Sequence, residues 1–407
     1  MKRPVLILGW IPRIVITVAR SLHSYGVQVD VADFTARSPI RSRAVQRFLR
    51  LPRPDVNPAE FASQLRSLIT ANGYDMLIPC DDQALATMLE HYEDFNALLH
   101  VACPPPHILR NVLSKSCSLD AARSSGIRVP KTVLVTNSAQ LRDLAASIPF
   151  PWILKPAEKE KHEEETKSRL VKTASELEQA FPEPAEFISP LLLQEYCEGS
   201  GVGIEMLIHN GECYGAFQHR RLKELPYTGG YAVTALAEQL DPALFQSSLA
   251  LLRTLNWEGV AMVEFKVNQL TGEPVFMEIN GRYWGTLSLP VISGMNFPLY
   301  HWQLAHGEMP YVPANYAVGT KWRWTVGYVA RLHQLFIHAW HSSAAREAFV
   351  LTLRQLPADF GFSMRDSLFK VTDPIPAIRE LFLALNFLAW TDLKKLSARV
   401  KSGNLFV

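Results

Sequence analysis

The chain has 407 residues, 48% of them hydrophobic, which supplies apolar side chains for two or three ordinary cores and excludes disorder as the main state. Lys plus Arg number 41 against 39 for Asp plus Glu, so the formal charge of +2 gives no long-range reason to bind nucleic acid or an anionic membrane. The five cysteines, Cys80, Cys103, Cys117, Cys197 and Cys213, form no C-x-x-C pair, which disfavours a zinc site or a disulfide framework and fits a reduced, cytoplasmic chain.

The opening MKRPVLILGWIPRIVITVARSL has the look of a secretory leader, but Pro12, Arg13 and Arg20 interrupt the apolar run and no small-residue cleavage site follows. A first strand, PVLILG, and a helix to about Ser24 fit it better. The strand VQVDVAD, a helix around Ala59 to Ala71 and the strand DMLIPC complete a βαβαβ order, which predicts a Rossmann-like parallel sheet with helices on both faces. Gly9 stands alone after the first strand, without a G-x-G-x-x-G fingerprint, so its turn is read as structural. The run CPPPH at Cys103 breaks regular structure and sets the end of this α/β domain near residue 110.

After the helix LSKSCSLDAARSSG come the short strands KTVLV, PWILKP, LLLQEYC, GIEMLIHNGECYGAFQHR, GVAMVEFKV and EPVFMEIN. Turn signals at His209-Asn210-Gly211 and Thr271-Gly272 predict antiparallel sheets, hence an α+β region over 111–310. From about Tyr311 to Val407 the chain reads as a mainly helical third domain, broken by DPIPA at Asp373 to Ala377. Its segment Ala377 to Trp390 is apolar nearly all round, with Asp392, Lys394 and Lys395 beyond it. Such a helix is expected to be buried; a subunit interface in a homo-oligomer and a membrane surface are the alternatives, the latter weakened by the missing Lys/Arg-rich face. No run of 18 apolar residues occurs, so no transmembrane segment is expected.

The most informative stretch is VEFKVNQLTGEPVFMEINGRYWGT, Val263 to Thr286. A three-residue loop Leu270-Thr271-Gly272 pairs Gln269 with Glu273 and sets Glu264 opposite Glu278. Two facing carboxylates repel, so a positive charge is expected between them. Asn280 projects on the same face as Glu278, and this set of hard oxygens suits Mg²⁺ shared with substrate phosphates, with Mn²⁺ as the alternative cation. A solvated acidic ribbon is the alternative, and Val260, Met262, Val275, Phe276 and Ile279 are too apolar for it.

These residues resemble the metal-binding core of ATP-grasp enzymes, close to the carbamoyl-phosphate-synthase-like branch, and the resemblance extends over most of the chain. It implies an ATP-grasp domain at 111–310 with subdomains of about 111–195 and 196–310, and ATP and Mg²⁺ as cofactors. Glu264, Glu278 and Asn280 would hold the magnesium ions, and Arg282 would stabilise the transferring phosphoryl group. Lys155, ending the strand WILKP, is assigned to the α- and β-phosphates; Lys115 takes the place of the family's Asp-Lys lysine, with Ser114 where the Asp usually stands. LLLQEYCEG resembles the hinge that sandwiches adenine, where the backbone of Glu195, Tyr196 and Cys197 would read the base edge. For the ribose, the usual acidic position carries Val202, and Glu198 is preferred over Glu205.

Two departures stand out. Where many members carry a glycine-rich flap, this chain has EKEKHEEETKSR, Glu158 to Arg169, with Lys159, Lys161 and Lys167 as the cations available to cover phosphates. HRRLKELPYTGG resembles a basic loop of this branch, in which Arg220, Arg221 and Lys223 meet phosphate or substrate carboxylate, Arg221 being the catalytic choice, and Gly229-Gly230 permits close backbone approach. His219 and His301 are read as structural. The resemblance implies small-molecule carboxylate and amine substrates: an acyl phosphate forms and an amine displaces phosphate. An ATP-binding sensor without turnover, and a kinase or carbamoyl-type transferase, are the competing readings.

Overall fold

The computed structural model of the chain describes residues 2–34, 41–145, 149–157, 169–180 and 186–386. Lys159, Lys161 and Lys167 of the expected flap, and the end of the apolar C-terminal segment from residue 387, lie outside them.

Among the described residues the strands form three sheets. The first contains β1 (Val5–Leu8), β2 (Val29–Asp33), β3 (Arg47–Arg50), β4 (Met76–Pro79) and β5 (His100–Val101), all parallel, in the order β3-β2-β1-β4-β5. VLIL in β1 and MLIP in β4 are buried throughout, as a parallel sheet covered on both faces requires. The expected βαβαβ order is present, with two additions. β3 is a short edge strand with no apolar run to announce it. The helix Asp82–Asn96 starts on Asp81, whose side chain accepts from the Ala84 N–H at 2.8 Å. Strand order reverses between β1 and β4, so a crevice opens at their C-terminal ends, where Gly9 and Asp81 lie. Gly9 is structural as expected: a Cβ there would come within 2.8 Å of the Asp81 carboxylate.

The second sheet is antiparallel: β6 (Thr132–Asn137), β7 (Trp152–Pro156), β8 (Arg169–Val171) and β9 (Glu186–Glu195) in the order β6-β9-β7-β8 around a small core of Val135, Trp152, Leu154 and Leu193. The third contains β10 (Ser200–His209), β11 (Glu212–Leu225), β12 (Tyr231–Glu238), β13 (Gly259–Val267), β14 (Pro274–Asn280), β15 (Lys321–Arg323) and β16 (Met364–Asp366) in the order β14-β13-β10-β11-β12-β15-β16. Asn210 and Gly211 turn β10 into β11 with positive φ at both, the two-residue hairpin that Asn-Gly favours. Ile204, Met206 and Ile208 of β10 share a core with Leu251, Leu252 and Trp257; Leu207 and Phe217 share another with Val5, Ile7 and Trp284.

β15 and β16 come from the segment read as mainly helical, so the large sheet continues past residue 311. The helices Thr325–His338 and Ser343–Asp359 pack beside it, and Arg331 donates to the Glu224 carbonyl at 3.1 Å and to Thr352 at 2.9 Å. Asp373 then ties the chain to the parallel-sheet region by accepting from Arg20, Ser42 and the Arg43 N–H. The helix that follows, 375–386, departs from the expected burial: Ile378, Phe382 and Leu385 are exposed, because the helix rides on the surface by one edge. No helix among the described residues is long and apolar enough to cross a membrane.

Candidate active site

Glu264 pairs with Glu278 and Met262 with Asn280 across β13 and β14, as the hairpin pattern predicts. The tip differs. Asn268, not Gln269, hydrogen-bonds Glu273, and the Asn268 side chain accepts from the Leu270 and Thr271 N–H groups. The register therefore shifts by one residue between Glu264 and Phe265, and the bulge opposite that step restores the carboxylate pairing. Gly272 takes the expected positive φ of 72°.

The positive charge expected between the carboxylates is the Arg221 guanidinium. Its Nη2 forms an ion pair with Glu264, and its Nη1 reaches Glu224 at 3.3 Å and the Gly230 carbonyl at 2.8 Å. Arg221 belongs to β11, two strands from Glu264, and the strand between is stripped of side chains at this point. A Cβ on Gly201 would stand 2.8 Å from Arg221 Cδ, and one on Gly203 would stand 2.5 Å from His219 Cε1. Glu224 also meets Lys266 at 3.3 Å, so a chain of alternating charge runs from Lys266 through Glu224 and Arg221 to Glu264. Burial, and the Glu278 carboxylate beside it, push the Glu264 pKa up, and Arg221 opposes that shift. Asn280 donates its Nδ2 to Glu278 at 3.2 Å, which leaves its amide oxygen as an acceptor. Two carboxylates and an amide at the end of a hairpin fit a hard dication that fills its remaining positions with water and phosphate.

Arg282 follows on the loop after β14. Asp82 grips it bidentately at 2.8 and 3.0 Å, and the Tyr283 carbonyl accepts a third bond at 3.0 Å. The loop can bend here because Gly281 packs against Trp257 with no room for a Cβ. Lys115 opens the helix Lys115–Ser124; its Nζ donates to the Pro156 carbonyl at 2.9 Å and its N–H to Ala157 at 3.1 Å. The helix start and the end of β7, which carries Lys155, are thereby brought together. Ser114 in place of Asp keeps the capping role, accepting from the Cys117 N–H at 3.4 Å.

At the hinge, the Glu195 N–H donates to Lys131 and the Tyr196 N–H to Pro151, so two of the three expected base-reading amides are engaged. The Cys197 thiol is pushed up to about 11 by burial and by Glu195, against the pull of Arg128, Lys155 and Lys266. Glu198 is exposed. Of the other two basic-loop cations, Arg220 pairs with Glu238 at 2.5 Å and Lys223 with Asp359 at 2.8 Å, both away from the acidic hairpin.

Comparison with known proteins fits this geometry. Residues 187–326 match a family described as ATP-grasp in the biosynthetic pathway with Ter operon. A D-alanine–D-alanine ligase of Rickettsia peacockii (strain Rustic) is 26% identical over 123 residues, covering 26% of this chain and 38% of that ligase, so the match spans well under half of the relative. An L-amino acid ligase from Bacillus licheniformis superposes with a TM-score of 0.60 at 17% identity over 75% of this chain and 74% of that one. The biotin carboxylase domain of Hydrogenobacter thermophilus 2-oxoglutarate carboxylase, solved with MgADP, ADP and bicarbonate, gives 0.61 at 14% identity over 79% of this chain and 74% of that one. The ATP-grasp match therefore covers the acidic hairpin and most of the sheet that carries it.

Several polar groups take places that the sequence did not assign to them. Glu205, one of the ribose alternatives, is fully buried in β10, where its Oε1 lies 2.8 Å from His219 Nδ1 and accepts from Thr286 at 3.3 Å. That burial removes it from any nucleotide. The two groups approach closely without forming a well-aligned hydrogen bond. Asp82 and Lys266 carried no motif, and only their partners reveal them. Gly201 and Gly203, two residues apart inside a strand, were the one signal legible in advance, since glycine there marks the close approach of another group.

Proposed function

We propose that the chain is an ATP-dependent ligase that phosphorylates a substrate carboxylate and couples it to an amine. The observation that carries this reading is the Glu264, Glu278 and Asn280 set, with Arg221 bridged to Glu264 and Arg282 held by Asp82 on the adjoining loop. When bound there, Mg²⁺ would neutralise charge on the transferring phosphoryl group. The chain's own groups do the positioning. Lys115 and Lys155, brought together at the end of β7, would hold the α- and β-phosphates; the backbone of Glu195 to Cys197 would read the adenine; Glu198, which is exposed, would take the ribose. Arg282, fixed by two bonds to Asp82, keeps its fork aimed along the loop and stabilises the charge that develops on the phosphoryl oxygens. Arg221, paired with Glu264 and Glu224 beside the metal-binding carboxylates, would meet the substrate anion. No protein nucleophile is needed, because phosphoryl transfer is catalysed by positioning and charge stabilisation. The ligase names among similar proteins support this chemistry over a kinase.

The test is release of ADP from Mg-ATP across amino acids, short peptides and other carboxylates with amines present, with mass spectrometry of the products. Glu278→Gln is expected to lower turnover by roughly 100-fold or more while the metal-free protein keeps its melting temperature. ATP binding without ADP release on any acid would instead identify a sensor, and normal turnover of Glu278→Gln at low magnesium would remove the metal assignment.

A further inference from the structure

Arg13 lies at the start of the helix Pro12–Ser24, in the crevice at the C-terminal end of β1. Its guanidinium covers the Trp324 ring at 4.0 Å from the centroid. It also lies close against Gly285, where a Cβ would stand 2.9 Å from Nε and 3.0 Å from Nη2. Gly285 is three residues beyond Arg282, so this guanidinium flanks the same loop that carries the phosphoryl-stabilising group.

Arg221, Arg282, Lys223 and Arg20 each hold a carboxylate. Arg13 does not: among the described residues its Nε is shut off from solvent without a hydrogen-bond partner, and no salt bridge reaches the group. The carboxylate in its neighbourhood is Glu380 of the helix 375–386, which accepts from Trp324 Nε1 at 3.3 Å through both oxygens. Burial lowers the Arg13 pKa to about 10 in spite of Glu380, and raises that of Glu380 to about 7 in spite of Arg13. Each charge therefore stays only partly compensated by the other. The helix start adds to the positive field, since Ile11 at its N-cap offers no side-chain acceptor.

We infer that Arg13 is the docking group for a spectator carboxylate of a substrate, a carboxylate other than the one that is phosphorylated. The inference rests on the ligase reading and narrows its substrates to those carrying such a group. A guanidinium lying against an indole and a glycine presents its remaining N–H groups in its own plane, which is the geometry a carboxylate accepts. The spectator carboxylate has two sources: the second carboxyl of a dicarboxylic acid that is activated at its other end, or the carboxyl of an amino acid that serves as the amine. In both cases the group forms no bond and leaves none. It anchors one end of the molecule at Arg13 while the reacting end lies toward Arg282 and the acidic hairpin.

The experiment compares the full chain with Arg13→Met and Arg13→Lys in three measurements: melting temperature, affinity for Mg-AMPPNP by calorimetry, and ADP release from Mg-ATP with matched pairs. The pairs are succinate against succinamate, and L-alanine against L-alaninamide. Arg13→Met is expected to melt at or above the wild-type temperature, because it removes a poorly compensated buried charge, and to bind Mg-AMPPNP unchanged. It is expected to lose roughly tenfold or more in kcat/KM for the carboxylate member of one pair and little for its amide, with Arg13→Lys in between. The pair that responds identifies the source. A lower melting temperature with unchanged preference would make Arg13 a structural stacking partner of Trp324 and overturn the inference, as would a wild-type protein that treats acids and amides alike. Failure of the wild type to bind Mg-AMPPNP would count against the ligase reading itself.

Discussion

At the residue scale, charge in this site is arranged so that almost every buried group leans on a neighbour. Glu264 is 9% exposed, faces a second carboxylate, and pairs with Arg221, which opposes the rise in its pKa that burial causes. Glu205 and His219 are the exception, a pair buried behind the site with no charged partner of its own. Burial raises the Glu205 pKa well above its ordinary value and holds His219 down to about 3, so each charged form is disfavoured. An unfolded histidine takes a proton near pH 6.5 while the folded one does not, so His219 contributes stability that is present above that pH and is lost as the pH falls toward 3. Thermal unfolding measured from pH 7 to pH 4.5 is expected to fall less steeply for His219→Gln than for the wild type, by up to about 1.4 kcal/mol per pH unit below the ordinary histidine pKa. Parallel pH profiles would show that His219 titrates freely in the folded chain.

At the scale of elements, the acidic hairpin and the Asp373 anchor rest on different physics. The hairpin pattern was legible because strand side chains alternate and glycine marks the turn, yet the tip closed one residue away from the simplest loop. Asn268 caps two backbone N–H groups there, a local bond that outweighs the three-residue alternative. The anchor has no local signature. Arg20, Ser42 and the backbone of Arg43 come from more than 300 residues earlier in the chain and meet on one buried carboxylate, whose pKa their hydrogen bonds hold low against its burial. Asp373→Ala would leave Arg20 without its partner and is expected to cost roughly 2–4 kcal/mol. It is also expected to speed proteolytic cleavage of the helix 375–386, read by limited digestion and mass spectrometry. Unchanged melting and unchanged digestion would show that the anchor holds nothing.

At the scale of the whole molecule, the described part of the C-terminal helix contributes little core. Among the described residues the cores reach Leu368, and beyond it Ala377 packs partly against them, while Ile378, Phe382 and Leu385 face outward. A chain truncated after Asp373 is therefore expected to remain folded, to stay soluble and to bind Mg-ATP, with a melting temperature within a few degrees of the full chain. Aggregation of that truncated chain, seen by size-exclusion chromatography, would show that the helix covers a surface the core needs.

The sequence by itself determined the features that repeat at short range. The βαβαβ order, the Asn210-Gly211 hairpin and the opposition of Glu264 and Glu278 follow from periodicity and turn chemistry, which operate over a few residues. The ATP-grasp resemblance was legible because its residues lie in one continuous stretch. Only the tertiary structure decided what fills the space between distant segments. Arg221 reaches Glu264 over Gly201 and Gly203, Asp82 holds Arg282 from the helix after β4, and Arg13 faces Glu380 across most of the chain. Each of these is a pairing of charges far apart in sequence, and a charge carries no mark of its partner until packing has set the distance and removed the water between them.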